Sequence, residues 1–514
     1  MSSVVGVLTL SRHGDRQGFY QSPTTYTAVQ TNLTVLGYVQ ELQNGADLRA
    51  RYLAGGTNTP TTSIAGIDIL KAENAQLAVI ADAGGEGGVI VESAAAALQG
   101  LYPAFEDTLA LANGTTVSWN RAQLIPIESL EVSETYYMEG YTGCNAFTTR
   151  LNNWYASPAF RAQAELANAF YASASIAPLL GNRAANLENA WNLFDFLNVQ
   201  SIHNASFAQA LPPTALAQAR YWADYHEAGS FSDPDLSNVG NIAGQAILPL
   251  ILDSLHDLAN TSSPTKMVTL FGAYKPFLSL FELMDIGGGL PRGSVVEYAS
   301  TLILEVHADQ SVHLLFRNGT NTPFTPYPFL GASSPDAGVP LSSLTAQLEP
   351  YALRSNADWC NKCASTASLH GCDVLAALNG TGGGQVRYAP ITSTSGRQRV
   401  SPVVAGVIGS VVTLALCTLL FVVAILIASR PGEGGKHRRR RSSVRPISTA
   451  SSRPARWCEQ RGDQLQDVGE GPRRVRGSEE EDSAAPYELG RRANLSGETD
   501  EYTSTSAGLS SDAK

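Results

Sequence analysis

The run Val4 to Leu10 carries no charge and passes directly into Ser11-Arg12-His13-Gly14-Asp15-Arg16. An apolar run of this length bounded by a polar turn reads as a buried strand. The residues just after such a strand arrive at the carboxyl edge of the sheet, where open α/β sheets bind their ligands. Gly14 gives the chain freedom to turn there. What the turn gathers is an imidazole between two guanidinium groups, which is the chemistry of a phosphate pocket. Planar guanidinium forks hold phosphoryl oxygens by charge-assisted, often bidentate hydrogen bonds. An imidazole can attack phosphorus and carry the phosphoryl group covalently. The plain alternative is a chance cluster in a surface loop.

The segment resembles the Arg-His-Gly-x-Arg-x-Pro signature of the histidine acid phosphatases, a branch of the phosphoglycerate mutase-like superfamily, with Gly18 where the signature has proline. Leu33-Thr34-x-Leu36-Gly37-x-x-Gln40 and Asp47-Leu48-Arg49-x-Arg51-Tyr52 are similar to the helix after that family's first loop, with Thr34 as its N-cap. Ser93-Ala94 with Leu98-Gln99-Gly100-Leu101-Tyr102-Pro103 is similar to the next helix, and Leu302 to Val306 with Val312 to Arg317 to the late strands. The resemblance implies an α/β fold, a histidine phosphatase-like sheet with flanking helices and a mostly helical insertion at about 120–262. It implies His13 as catalytic nucleophile and Arg12 and Arg16 as phosphate-binding residues, with no cofactor and no metal.

Two parts of the family's site are replaced. The further phosphate-binding arginine that precedes Ser93 by four residues is Val89 here. The His-Asp pair that should follow the strand Met267 to Ala273, whose aspartate protonates the leaving group, is Tyr274-Lys275. Tyr274 can donate a hydrogen bond and Lys275 can offer charge to phosphate, so these two are the substitutes for the pair. His307-Ala308-Asp309 looks like a displaced copy, but it sits between two strand-like runs with good turn chemistry and is read as a turn. His203, His226, His256, His313 and His370 lack partners at metal-ligand spacing and are read as structural or solvated.

From Val403 to Ala428, 26 residues pass without a charge. That is enough to cross the roughly 30 Å hydrocarbon core of a bilayer as a helix. Lys436 and Arg438 to Arg441 follow it, which places the tail in the cytosol and the preceding chain outside the cell or in a lumen. The expected division is 1–398 as an extracellular or lumenal phosphatase-like domain, 399–429 as stalk end and transmembrane helix, and 430–514 as a cytosolic disordered tail. Glycosylation acceptor tripeptides at Asn32, Asn113, Asn204, Asn260, Asn318 and Asn379 agree with export. So do Cys144, Cys360, Cys363 and Cys372, read as two disulfides of undetermined connectivity. Cys360-Asn361-Lys362-Cys363 as half a zinc site finds no second half. No cleavable signal is visible at Met1, and an incomplete start is the reading preferred.

Residues 430–514 hold 16 of the 35 Lys and Arg and 14 of the 46 Asp and Glu, which leaves the first 429 residues with 19 basic against 32 acidic. Such a field excludes nucleic acid as a partner and makes any anionic ligand depend on a local cationic pocket. Between the two halves of the sheet, Pro158 to Ala174, Arg183 to Leu197, Thr214 to Glu227 and Val239 to Leu258 show helical periodicity bounded by breakers. The expectation is a membrane-anchored phosphatase-like protein that hydrolyses phosphate monoesters through a phosphohistidine, impaired by its incomplete catalytic set. Its ligand is a phosphate monoester or other anionic small molecule, and the tail would meet cytosolic partners. The rival is a catalytically inactive binding module of the same fold, acting as a surface receptor or scaffold.

Overall fold

The apolar run that opens the chain is the central strand of a sheet. A computed structural model describes residues 3–17, 31–53, 62–83, 88–290 and 292–380. The chain divides into two units, 1–398 and 399–514, and every described residue belongs to the first. The expected membrane segment, stalk and tail, together with Gly18 and the side chain of Asn379, lie outside the described residues. Among the described residues no helix is long and apolar enough to cross a membrane.

The strands are β1 Val4–Arg12, β2 Leu77–Asp82, β3 Asp107–Ala110, β4 Thr116–Trp119, β5 Glu128–Leu130, β6 Met267–Gly272, β7 Thr301–His307, β8 Ser311–Arg317, β9 Thr325–Tyr327 and β10 Val339–Pro340. The main sheet runs β10-β8-β7-β1-β6-β2-β5, with β9 also on β8, while β3 and β4 form a separate hairpin. β1 pairs parallel with β6, Leu8 facing Val268, and antiparallel with β7, Leu8 facing Leu304. β6, β2 and β5 continue the parallel half. β5 lies inside the stretch expected to be helical insertion, so the sheet reaches further along the chain than the sequence suggested.

The helices are α1 Val35–Tyr52, α2 Val89–Leu101, α3 Asn145–Tyr155, α4 Pro158–Tyr171, α5 Ala177–Leu180, α6 Ala190–His203, α7 Ala205–Ala210, α8 Ala215–Phe231, α9 Ile242–Ala259, α10 Lys275–Leu283, α11 Leu341–Leu348, α12 Asn356–Lys362 and α13 Cys372–Gly380. Side-chain alternation along β1 explains the layers. Val7 joins Phe271 and Ile303 against Leu48, Ala94 and Leu98 of α1 and α2, while Leu8 and Leu10 join the core of α9, α10 and the insertion. Two apolar cores on the two faces of one sheet bury β1 along its length except at Val5, which is half-buried. α1 and α2 touch backbone to backbone: a Cβ on Gly45 would lie 1.8 Å from Ala97 O, so only glycine allows the contact.

Local chemistry starts the helices. Thr34 Oγ1 accepts from Gly37 N at 3.1 Å, capping α1 as expected. Ser157 caps α4 with Pro158 in its first turn. The helix expected over Arg183 to Leu197 begins later, because Asn186 accepts from Asn189 N and holds a 3₁₀ turn ahead of α6. It also ends later, at His203, where Asn204 begins α7.

The four cysteines form Cys144–Cys363 and Cys360–Cys372. The first ties the amino end of α3 to the lobe after β10, and Trp359, fully buried, donates its indole N–H to Gly140 O at 2.8 Å in the same seam. His307 to Asp309 is the turn between β7 and β8: Asp309 Oδ1 accepts from Ser311 N at 3.1 Å and Gln310 takes φ +61°.

Candidate active site

β1 ends at Arg12, and its alternation places that side chain after Leu8 and Leu10, on the insertion side of the sheet. His13 continues the strand's bonding, its N–H donating to Gly272 O at 3.1 Å and its carbonyl accepting from Ala299 N at 3.1 Å. The loop is then fixed from the α1 and α2 side. Gly14 N donates to Ser93 Oγ at 3.1 Å, and Asp15 N donates to Gln40 Oε1 at 2.8 Å. Gly14 is required for a reason other than the turning freedom expected of it: its φ is not positive, but a Cβ there would meet Gly37 O at 2.6 Å. Close approach to α1 makes this position glycine.

The loop's cations are enclosed. Arg12 donates to Val296 O, and its guanidinium lies 4.4 Å from the Tyr298 ring, 5.3 Å from Tyr274 and 5.7 Å from Trp191. Such cation–π contacts gain strength where water is excluded. Arg16, 1% exposed, meets the Asp195 carboxylate of α6 in a fork, Nη2 to Oδ1 at 3.0 Å and Nη1 to Oδ2 at 3.2 Å. Asp15, fully buried, accepts from Thr34 Oγ1 and lies 2.7 Å from His203 Nε2 at the far end of α6. One helix of the insertion therefore grips the loop at two residues of the motif.

His13 is 1% exposed, and its Nδ1 lies 2.8 Å from Gly14 O. A carbonyl only accepts, so Nδ1 carries the proton and the neutral ring has its lone pair on Nε2. Burial, followed by the charges of Arg12 and Arg16 and that of Lys275, holds the imidazole well below its usual range. Burial pushes the neighbouring Tyr298 phenol up to about 12.

Tyr274 and Lys275 stand where the sequence placed them, at the junction of β6 and α10, and both are buried. The Tyr274 hydroxyl donates to Glu227 Oε2 at 2.7 Å, Glu227 Oε1 lies 2.7 Å from His226 Nδ1, and His226 Nε2 lies 2.7 Å from the Tyr155 hydroxyl. Lys275 Nζ donates to Tyr141 Oη at 3.3 Å and sits 4.7 Å from that ring. Val89 opens α2 as a fully buried apolar residue, and its carbonyl accepts from Ser93 Oγ at 2.7 Å. No guanidinium enters from that position.

The structure thus gathers His13, Arg12, Arg16, Tyr274 and Lys275, and it leaves His307 and Asp309 at the opposite end of β7. Sequence reasoning missed Asp195 and the His226–Glu227 pair, and read His203 as merely structural or solvated. The eight-residue spacing of Asp195 and His203 was the available signal, since it puts both on one side of a helix. Among the described residues no three His, Cys, Asp or Glu side chains group as a metal site. The acceptor asparagines Asn32, Asn113, Asn204, Asn260 and Asn318 are all exposed.

No protein-family model matches the chain, and no curated protein matches it. Solved structures similar to it include a Klebsiella phytase at 13% identity, covering 69% of this chain and 97% of the phytase with a TM-score of 0.47. A Citrobacter braakii phytase gives 13% identity, coverage of 71% and 99%, and a TM-score of 0.46. A Bifidobacterium longum multiple inositol polyphosphate phosphatase in complex with inositol hexasulfate gives 12%, coverage of 68% and 92%, and 0.38. At these scores the likeness carries no weight in assigning an activity.

Proposed function

We propose that this chain is a phosphomonoesterase of the histidine acid phosphatase kind, anchored in a membrane through 403–428, with 1–398 extracellular or lumenal and 430–514 cytosolic. The observation that carries the proposal is the fixed tautomer of His13: a neutral imidazole with its lone pair on Nε2, between two arginines, at the carboxyl end of the central strand. In this reading Arg12 and Arg16 hold the phosphoryl oxygens, His13 Nε2 forms a bond to phosphorus as the ester P–O bond breaks, and water then releases phosphate from the imidazole. The scheme uses no cofactor. Val89 removes one cationic contact and Tyr274-Lys275 removes the usual acid, so turnover is slower than a complete set would give.

A second reading, a binding module without turnover, is favoured by the Asp195 carboxylate that holds the Arg16 fork. Rapid quench of the full chain in detergent with a ³²P-labelled aryl phosphate separates them. Acid-labile, alkali-stable label on His13, lost in His13→Ala, supports the enzyme. Phosphate binding without label supports the module, and neither binding nor label refutes the anion pocket itself.

A further inference from the structure

The proton that the leaving group needs has no donor at 274–275. The Tyr274 hydroxyl donates to Glu227, and Lys275 Nζ donates to Tyr141 Oη. A carboxyl group nevertheless stands at the phosphate fork. Asp195, 2% exposed, faces Arg16 from α6 with both oxygens, and His203 on the same helix reaches Asp15 on the same loop. The insertion therefore lays a carboxyl group across the motif from the side opposite α1 and α2.

We propose that Asp195 is the proton donor to the leaving group. The inference rests on the hydrolytic reading above. In the unliganded site Asp195 answers the charge of Arg16. A phosphate monoester seated on that fork lies against this carboxyl group, which is placed to pass a proton to the departing oxygen. Tyr298 faces it from the sheet side, and Asp15 and His203 meet at the other end of α6. Asp15 is already engaged by Thr34 and His203, which leaves Asp195 as the carboxyl at the fork.

The step balances. As the bond from His13 Nε2 to phosphorus forms and the ester P–O bond breaks, the departing oxygen takes the Asp195 proton and leaves as the alcohol. In the second half, the Asp195 carboxylate accepts a proton from the water that attacks phosphorus. The N–P bond breaks, and inorganic phosphate, neutral His13 and protonated Asp195 result.

The test uses the full chain in detergent with two substrates, 4-nitrophenyl phosphate, whose leaving group needs no proton, and glycerol phosphate, whose leaving group does. Asp195→Asn is expected to lower kcat/KM for glycerol phosphate by roughly 10² to 10⁴ and for the aryl ester by less than about tenfold. A parallel loss on both substrates overturns the assignment in favour of a structural role. A gain on both, with tighter binding of inorganic phosphate, overturns it in favour of a carboxylate that only blocks the fork. Should Asp195→Asn fail to fold, Asp195→Glu keeps an acid at the site: a retained ratio of alkyl to aryl turnover supports the donor and a parallel loss refutes it. If the unsubstituted chain neither turns over nor labels at His13, the hydrolytic reading fails as a whole, whereas the other refuting outcomes touch Asp195 alone.

Discussion

Glu41 is fully buried on α1, behind the loop that carries His13, and nothing in the reaction uses it. Its Oε2 accepts from Asn44 Nδ2 at 3.3 Å, while Oε1 has no hydrogen-bond partner among the described residues. Asn44 in turn accepts from Thr301 and Arg317, so this polar seam links α1 to the strands beside β1. Burial, opposed by the Asn44 bond and by Arg317, raises the Glu41 carboxyl to about 8. A carboxyl raised on folding stabilises fully below its unfolded value, here 4.5, and that contribution is lost as pH climbs to about 8. At pH 7 the unfolded chain has released a proton that the folded chain retains. With about 1.4 kcal/mol for each unit between the two values, the loss is about 3 kcal/mol at pH 7 and under about 1 kcal/mol at pH 5. Glu41→Gln keeps the shape without the titration. With an unfolding entropy of about 2 cal/mol/K per residue, a folded region of this size gives about 0.8 kcal/mol/K, so the variant should gain about 3 °C in Tm over the parent at pH 7 relative to the difference between them at pH 5. Differential scanning calorimetry at the two pH values reads this directly. A gap between variant and parent that does not change with pH refutes the reasoning.

Three further outcomes follow from the same contacts. Gly14→Ala, whose Cβ would lie 2.6 Å from Gly37 O, should destabilise by about 1 to 3 kcal/mol and abolish labelling of His13, and a normal Tm in calorimetry would contradict the packing described. Cys363→Ser opens a bridge between residues 219 apart, and Cys372→Ser one between residues 12 apart. The chain-entropy account gives losses of roughly 5 and 3 kcal/mol, so thermal melts should rank the first variant below the second. In the Asp195→Asn background, Tyr274→His with Lys275→Asp should restore turnover of glycerol phosphate, and an unchanged rate would count against the placement of those two residues in the site.

The elements nearest the motif were legible because their signals are local. Val4 to Leu10 is a short apolar run, Thr34 precedes a helix with a hydroxyl that caps it, and Asp309 to Ser311 is turn chemistry between two strand-like runs. Each is decided within a few residues, and each stands in the structure. Val89 at the start of α2 and Tyr274-Lys275 at the end of β6 were placed for the same reason, by strand and helix signals within a few residues of them. Asp195 was not. Its contact depends on 179 residues of chain folding back onto Arg16, and its spacing from His203 says that the two share a side of a helix but not what that side meets. The disulfide partners were hidden similarly, since four cysteines admit three pairings and only the approach of α3 to the last lobe selects one. Gly14 was read as a residue that lets the chain turn, whereas its close approach to α1 is what requires glycine, and such an approach leaves no mark in local sequence.

The acidic exterior and the enclosed site belong to one argument. With 19 basic against 32 acidic residues in the first 429, the long-range field does not collect anions, so affinity has to come from cations held inside the fold. Guanidinium groups buried there without partners would be costly, and the fold offsets this by two different means. Arg12 is laid among three aromatic rings, which no ligand needs to displace. Arg16 is answered by a carboxylate, which a ligand must share or expel. On the proposed reading, binding is an exchange in which a ligand shares Arg16 with Asp195 or takes it over, and its strength is a difference between two ion pairs. A phosphate monoester has the advantage in that exchange, because it brings nearly two charges and three acceptor oxygens against the single charge of a carboxylate. Acetate and phosphodiesters lack the advantage. Isothermal titration of the full chain in detergent should therefore show inorganic phosphate binding in preference to both, with the preference over acetate shrinking in Asp195→Asn, where there is no resident carboxylate left to outcompete. Equal affinities for phosphate and acetate in the unsubstituted chain would mean that Arg16 is closed to exchange, and the site would then be read through Arg12 alone.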